Sequence, residues 1–503
     1  MSRDLRVAAA GPLAQRLSPK YLEQHCLLPL EVATDGTLRV AVGGALDPTV
    51  VDELRLTFRR PVKLLEVPAA EIAAAILSAQ SETEPADLHL ETVDVAVGDG
   101  KREALDDLRA LASQAPVIKL VNLMLLEALE HRASDVHVES TPDGLRVRQR
   151  IDGVLHDVAT HPRQYQAAVI SRLKVMANLN IAERRVPQDG RVRLRMSDRE
   201  LDVRVSTLPT VHGEGIVLRI LDRAMSVRDL EGLGMGDAIE NQFARLIGRP
   251  NGIILVTGPT GSGKTTTLYA ALRRINTPAV KIVTVEDPVE YQIEGLTQIP
   301  VNPKAGRTFA SALRSILRHD PDVVMVGEMR DRETAEIAIQ AALTGHLVFS
   351  TLHTNDAPSG VTRLVDMGIE PYLVVATVQG ILAQRLLRVV CTDCGRPYRP
   401  SATESRRGEA AGVRIGKRHF RRGTGCPLCA NTGYRGRTGI YELMVMNESL
   451  RSAVLRGASL DRLRREAETN GLVSLYRAAW AKAADGETTI EEAVRIASEE
   501  LAG

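Results

Sequence analysis

The sequence predicts an α/β chain whose largest part is an open parallel sheet with helical crossovers. Three observations carry that expectation. Residues 253–268, IILVTGPTGSGKTTTL, state an apolar run the length of a buried parallel strand, then a glycine-rich turn, then a helix start. From Val227 onward, strand-like runs alternate with helical patterns. Two of the later runs, 280–285 and 322–328, lead into acidic residues, and in such sheets the carboxyl ends of strands face the crevice where ligands bind.

Composition sets the outer bounds. At 503 residues and 44% hydrophobic content, three or four domains with their own cores are expected. A net charge of +1 gives no global argument for nucleic acid or membrane, so any such affinity has to come from local patches. The most apolar stretch, 372–390, is interrupted by Gln379, Gln384, Arg385 and Arg388, which argues against a membrane span. The first residues lack the continuous apolar segment of an export signal. The expectation is a cytoplasmic protein whose membrane association is indirect, through a partner.

Taken in order, residues 17–77 read as a small α/β unit. A helix at 19–25 is followed by a strand pair turning at Asp35-Gly36, a helix near 50–58, a strand at 62–67 and a helix from Ala69. Cys26 reads as a buried small hydrophobe. Residues 81–100 hold six Asp or Glu and no Lys or Arg, a composition that cannot offset the entropy of its own ordering. A second unit follows from about residue 104 to 222, with an amphipathic helix at 117–129 and alternating strands at 136–138 and 145–150. In the hairpin over 191–206, Arg191, Arg193 and Arg195 share one face, with Asp202 and Arg204 on the returning strand. That basic surface leaves three readings open: a solvated face, phosphate contact with a neighbouring subunit's nucleotide, or nucleic-acid binding. An aromatic content of 3% weakens the last, because strand arginines without interleaved aromatics are poor base stackers.

The third unit carries the chemistry. Gly258 to Thr265 spells G-x-x-x-x-G-K-T between a strand and a helix, the context this motif requires, and a chance glycine-rich turn would lack it. Gly258, Gly261 and Gly263 let the backbone turn its amides toward an anionic phosphate, with Pro259, Thr260, Ser262 and Thr266 completing the loop. Lys264 is expected on the β/γ-phosphates of a nucleotide and the Thr265 hydroxyl on a magnesium ion. The strand at 280–285 leads into Glu286-Asp287-Pro288, and the strand at 322–328 is tipped by Glu328. Beside the loop, Glu328 is placed to hold magnesium through water or to polarise the attacking water. A helix at 331–343 stopped by Gly345 precedes a strand at 346–352 that enters His353-Thr354-Asn355-Asp356. Further on, Cys391-x-x-Cys394 and Cys426-x-x-Cys429 are separated by thirty-one residues. Four thiolates with no spare ligand suit a closed structural zinc site better than a redox pair, and the Arg/Lys-rich insert between them needs such a staple. A helical tail at 449–502 closes the chain.

On these segments the chain resembles the secretion-ATPase superfamily, and within it the type II secretion ATPases. The motifs are GPTGSGKTTTLY at 258–269, VTVEDPVEY at 283–291, LRHDPDVVMVGEMRD at 317–331 and TGHLVFSTLHTNDA at 344–357. AERRVPQDGR at 182–191, VSTLPTVHGE at 205–214 and the four-cysteine insert also match. The resemblance implies a RecA-like P-loop ATPase core preceded by an α/β, PAS-like domain and a small N-terminal α/β domain. The boundaries expected are 1–80, a linker at 81–103, 104–225, a core at 226–390, a zinc insert at 391–429 and a helical part at 430–503. It implies a homo-hexamer in which each nucleotide lies between the core and basic residues of the preceding domain. Glu328 would be the main catalytic carboxylate and Glu286 a further acidic residue of the site. His346 and His353 would sense or position the γ-phosphate, Arg204 and Arg219 would neutralise transition-state charge, and Arg314 and Arg318 would help at the subunit boundary. Gly215 stands where the family commonly has a bulky or basic residue, which bears on one local contact. The implied function is ATP hydrolysis driving pseudopilus assembly and protein export, with the N-terminal domain docked on an inner-membrane platform protein and no nucleic acid bound. The alternatives are a type IV pilus assembly ATPase, a nucleic-acid motor and a scaffold that only binds ATP.

Overall fold

Strand and helix periodicities of the kind just described are realised in a computed structural model. It describes residues 13–14, 21–22, 25–33, 35–44, 46–58, 60–69, 71–72, 75, 115–196, 199–222, 229–415 and 419–501. The expected linker at 81–103 and the segment at Val227 lie outside the described residues, as do parts of the helices expected at 19–25 and from Ala69. The chain divides into two units, Met1–Glu91 with Arg195–Asp198, and Thr92–Leu194 with Arg199–Gly503.

The first unit is a three-stranded sheet of β1 (Leu27–Val32), β2 (Leu38–Val42) and β3 (Val62–Glu66), with α1 (Pro48–Phe58) between β2 and β3. β1 and β2 form the predicted hairpin, turned where Thr37 N–H donates to Asp35 Oδ1 at 2.9 Å and Gly36 takes a left-handed φ of 85°. β3 lies parallel to β2, as a helical crossover requires. Leu27, Leu28, Leu38, Leu54 and Ile72 are fully buried between them. Cys26 is half-buried against this core, with its thiol near Ala69 O.

The second unit opens with α2 (Ala115–Glu130), which buries Val117, Val121, Met124, Leu125 and Ala128, one stripe of a 3.6-residue period. β4 (Ala133–Thr141), β5 (Gly144–Ile151) and β6 (Val154–Pro162) follow, then α3 (Gln166–Met176), β7 (Gln188–Met196), β8 (Arg199–Thr210) and β9 (Gly213–Asp222). They form a six-stranded sheet in the order β6-β5-β4-β9-β8-β7. A buried ion pair, Lys174 Nζ to Glu214 Oε1 at 2.6 Å, ties α3 to β9, and the same ammonium donates to Glu183 O at 2.6 Å. Two interactions of that kind are what a charge removed from water needs.

The largest sheet is built from β10 (Gly252–Thr257), β11 (Ile282–Glu286), β12 (Leu296–Pro300), β13 (Val323–Val326), β14 (Leu347–Leu352), β15 (Val378–Val390) and β18 (Tyr434–Val445). Their order is β12-β11-β13-β14-β10-β15-β18, parallel throughout except for β18, which returns antiparallel to β15. Every residue of β10, β11, β13 and β14 is buried, as expected for parallel strands covered on both faces. The covering helices are α4 (Asp237–Ile247), α5 (Lys264–Ile275), α6 (Phe309–Ile316), α7 (Arg332–Leu343), α8 (Pro358–Asp366) and α9 (Pro371–Thr377). Among the described residues no helix is long and apolar enough to cross a membrane. The apolar stretch at 372–390 divides instead into α9 and the inner strand β15.

The insert between β15 and β18 holds β16 (Gly395–Pro397), α10 (Ala402–Ala410) and β17 (Arg421–Gly423). α11 (Glu448–Leu455), α12 (Leu460–Thr469), α13 (Leu475–Ala484) and α14 (Ile490–Leu501) form the predicted helical tail. Trp480 on α13, the only tryptophan of the chain, is fully buried. A Cβ on Gly408 of α10 would come within 2.8 Å of its ring, so insert and tail share one core.

Candidate active site at the carboxyl edge of the parallel sheet

The phosphate loop leaves β10 and enters α5 with its glycines in backbone conformations that a side chain would strain. Gly258 has φ 148°, and a Cβ there would lie 2.5 Å from Gln384 O and 2.7 Å from Ser262 Oγ. Gly263 caps α5 at φ 88°. Gln384 supports the loop from β15 by donating Nε2–H to Ser262 O at 2.7 Å. Lys264 folds over it, its ammonium donating to Gly258 O at 2.7 Å and Pro259 O at 3.0 Å. Ser262 Oγ and Gln384 Oε1 are buried polar atoms without a partner. Of the two, the Ser262 hydroxyl can donate, and together with the captive ammonium it fits a polyphosphate; Thr265 and Thr266 stand exposed on the first turn of α5.

Glu328 follows β13, which β14 separates from the strand that carries the phosphate loop. Its flanks are fixed to β14, where Thr351 Oγ1–H donates to Gly327 O at 2.8 Å and Met329 N–H to Thr351 O at 3.1 Å. The carboxylate, 13% exposed, takes Arg330 Nη2 at 2.5 Å on one oxygen and faces His353 Nε2 at 3.5 Å with the other. Burial and then the nearby Lys264 hold the His353 imidazole below its usual range, so it is neutral near pH 7. Burial pushes the Lys264 ammonium down to about 8, against the pull of Glu328 and with the repulsion of Arg385. Lys264, Glu328 and His353 thus stand in one electrostatic neighbourhood, as the motifs predict.

A pH dependence follows. Below about 8 the ammonium carries its charge, and an incoming polyphosphate favours that form. Above that value a proton has to be taken up on binding. ATP affinity is expected to be flat below pH 8 and to weaken as pH rises beyond it; a binding titration across pH checks this, and a flat profile would contradict it.

The structure does not bring every predicted residue here. His346 precedes β14 and stands at the opposite edge of the sheet, where Gly252 N–H bonds its carbonyl and its Nδ1 lies 2.9 Å from Ala341 O. Seven residues of extended chain at about 3.3 Å each separate it from His353, roughly 20 Å. Glu286 ends β11 fully buried, with its oxygens taken by Tyr269 Oη–H, by Thr284 Oγ1–H at 2.5 Å and by Gln298 Nε2–H at 3.1 Å. Asp287 beside it is the exposed carboxylate, within electrostatic reach of Arg330. Arg314 pairs with Glu333 at 2.5 Å on an exposed face, and Arg318 donates to Arg314 O at 2.8 Å.

Arg204 and Arg219 are register partners across β8 and β9. With Arg191, Asp189 and Ser206 they line a cavity of about 420 Å³. Each is already oriented by a carboxylate, Arg204 by Glu290 at 3.2 Å and Arg219 by Asp135 at 2.9 Å. A Cβ on Gly215 would meet Thr210 Cγ2 at 3.7 Å and Leu208 O at 3.9 Å, ordinary van der Waals contacts, so the position is partly enclosed and not strained by a methyl group.

Cys391, Cys394, Cys426 and Cys429 converge with all four Sγ atoms within 4.8 Å of one another. The separations of 3.8 Å for Cys391–Cys426, 3.8 Å for Cys394–Cys429 and 3.6 Å for Cys426–Cys429 match the about 3.8 Å edge of a tetrahedron with 2.3 Å metal–sulfur bonds. The amides of Cys426 and Gly433 each point at Cys429 Sγ from 3.3 Å, which favours a thiolate there. The cluster is a candidate metal centre with no open coordination position.

Sequence reasoning missed Gln384 and Arg385. Both entered only as interruptions of an apolar run, yet one supports the phosphate loop and the other, 4% exposed, donates to Asn355 O at 3.2 Å and Oδ1 at 3.0 Å. A polar pair inside a buried strand was the available signal.

Comparison with known proteins agrees with this geometry. A family described as Type II/IV secretion system protein matches residues 110–495, and an MshEN domain matches residues 3–86. The chain is 49% identical over 488 residues to Type II secretion system protein E of Xanthomonas campestris pv. campestris, covering 96% of this chain and 85% of that one. It is 44% identical over 490 residues to the Type IV pilus assembly ATPase PilB of Myxococcus xanthus, covering 95% and 86%. The Legionella pneumophila ATPase DotB has the same fold, with a TM-score of 0.56 at 20% identity over 76% of this chain and 95% of that one.

Proposed function

The chain belongs to the Type II/IV secretion system protein family, and from that premise we propose that it hydrolyses ATP as a cytoplasmic hexamer to drive pseudopilus assembly and protein export by a type II secretion system. The observation that carries the chemistry is the convergence of Lys264, Glu328 and His353 at one edge of the sheet. Identity to a type II secretion relative runs slightly higher than to the pilus relative, 49% against 44%, each over nearly the whole chain. The pilus assembly ATPase is therefore the second reading. Pseudopilin and secretin genes beside this one would support the first, and pilus subunit genes the second. Restored export in a strain lacking the gene tests it directly; restored piliation without export would overturn it.

In the proposed mechanism the loop amides and Lys264 bind the β- and γ-phosphates, and Thr265, with Glu328 acting through water, would hold a magnesium ion that would neutralise phosphate charge. Glu328, its carboxylate oriented by Arg330, positions the attacking water and accepts its proton. Neutral His353 holds the γ-phosphate side of the pocket without adding charge. Arg204 and Arg219, preorganised on Glu290 and Asp135, are offered to a nucleotide of the same or a neighbouring subunit. Little covalent work falls to the protein; positioning and charge do the rest.

The four thiolates are assigned to zinc, with a structural role. Chelation is expected to shift Trp480 emission to the red, because insert and tail share its core, while nucleotide affinity is retained. Metal analysis of freshly purified protein that found no zinc would refute the assignment. The N-terminal unit, which carries no residue of the site, is proposed to dock on the cytoplasmic part of an inner-membrane platform protein.

A further inference from the structure

Glu442 stands on β18 opposite Ala383 of β15, and its residue exposure is 3%. A carboxylate so buried needs donors. Two backbone amides supply them: Ala357 N–H reaches Oε1 at 2.8 Å, and Leu475 N–H reaches Oε2 at 3.2 Å. Ala357 caps α8 and Leu475 begins α13, so a single charge sits at the positive ends of two helices. One of those helices starts a few residues after His353. The other carries Trp480 and belongs to the tail packed on the cysteine insert.

Between His353 and Ala357 the chain is gripped at each residue. Thr354 N–H donates to Thr257 Oγ1 at 2.8 Å, at the end of β10. Asn355 is held by Arg385, and Asp356 by Arg464 of α12 at 2.5 and 3.0 Å. The phosphate loop is held by other means, through Gln384 and its own lysine.

We propose that Glu442 is a positioning residue: it fixes the His353–Ala357 segment so that the imidazole stands against Glu328, and it makes that placement depend on the seating of the C-terminal helices. The inference rests on the reading of Glu328 and His353 as the catalytic pair. Glu442 bonds the segment that follows His353 and not the phosphate loop, so its loss should reach turnover without reaching nucleotide binding. Glu442→Gln keeps the shape but turns one acceptor into a donor facing an amide, which frees one helix end.

The test uses full-length protein and four variants, reading kcat and KM for ATP, affinity for a non-hydrolysable analogue, and the melting temperature followed by Trp480 fluorescence. Glu442→Gln is expected to lower kcat about tenfold or more with analogue affinity unchanged, since misplacement of a reacting group by about 1 Å is that costly. Arg464→Ala removes an exposed side chain that holds Asp356, and is expected to lower kcat with no change in affinity or melting. It also carries the test if Glu442→Gln fails to fold. Leu450→Ala weakens the same core away from the clamp and should lower the melting temperature with kcat retained where the protein is folded. Wild-type kcat in both Glu442→Gln and Arg464→Ala, beside an impaired His353→Ala, overturns this inference alone. A loss of kcat that follows melting temperature equally in Leu450→Ala and Glu442→Gln also overturns it. Wild-type kcat in His353→Ala overturns the reading of the site and this inference with it.

Discussion

Replacing Lys264 by alanine is expected to abolish ATP hydrolysis while leaving the chain folded. The side chain bonds only two carbonyls of its own loop, at 2.7 and 3.0 Å, and burial has already pulled its ammonium down to about 8, so the fold loses little with it. The bound state loses far more. Without the ammonium, charge on the β/γ-phosphates is met by amides alone, and removal of one preorganised cation or donor from such a site costs about a hundred- to a thousandfold in turnover. Turnover of the purified variant, with far-ultraviolet circular dichroism and a melting curve as fold controls, checks both halves. Normal turnover in a folded variant would exclude this loop as the site.

Glu328→Gln is expected to do the reverse of a binding mutant: nucleotide is held and not cleaved. The amide keeps the size of the carboxylate and its seat between Gly327 and Met329, both fixed to Thr351. It loses the negative charge that Arg330 and His353 face, and with it the capacity to take a proton from water. General-base loss and electrostatic loss together put the expected fall in kcat at about a thousandfold. The loop and Lys264 remain, so affinity for ATP stays near wild type and the complex accumulates unhydrolysed. A variant with unchanged kcat would remove Glu328 from the mechanism, and one that no longer binds ATP would recast it as a binding residue.

How much of this was legible in the sequence depends on how locally each feature is encoded. The phosphate loop, the strand that presents Glu328 and the His353 turn are each written within about a dozen residues, and the fold places them as read. Arg204 entered from the alternation of its hairpin and Arg219 only from the family resemblance; the fold makes them register partners across β8 and β9. His346 lies apart from the loop for a geometric reason. Both histidines flank one strand, and a six-residue strand sends its two ends to opposite edges of the sheet. Glu286 illustrates a finer version of the same point, because adjacent residues face opposite ways: Glu286 closes inward on Tyr269 and Gln298, while Asp287 is exposed. The β15–β18 pairing and the Glu442 bridge were invisible because the cysteine insert separates the partners in sequence, and no local pattern announces a contact of that range.

The measurement that bears most directly on the whole account is an experimental structure of the protein with magnesium and a non-hydrolysable ATP analogue. The account predicts the triphosphate cradled by the amides between Gly258 and Thr265, with Lys264 turned from its carbonyls onto the phosphates and Glu328 and His353 facing the terminal one. A triphosphate bound elsewhere, with Lys264 still folded over Gly258 and Pro259, would contradict it.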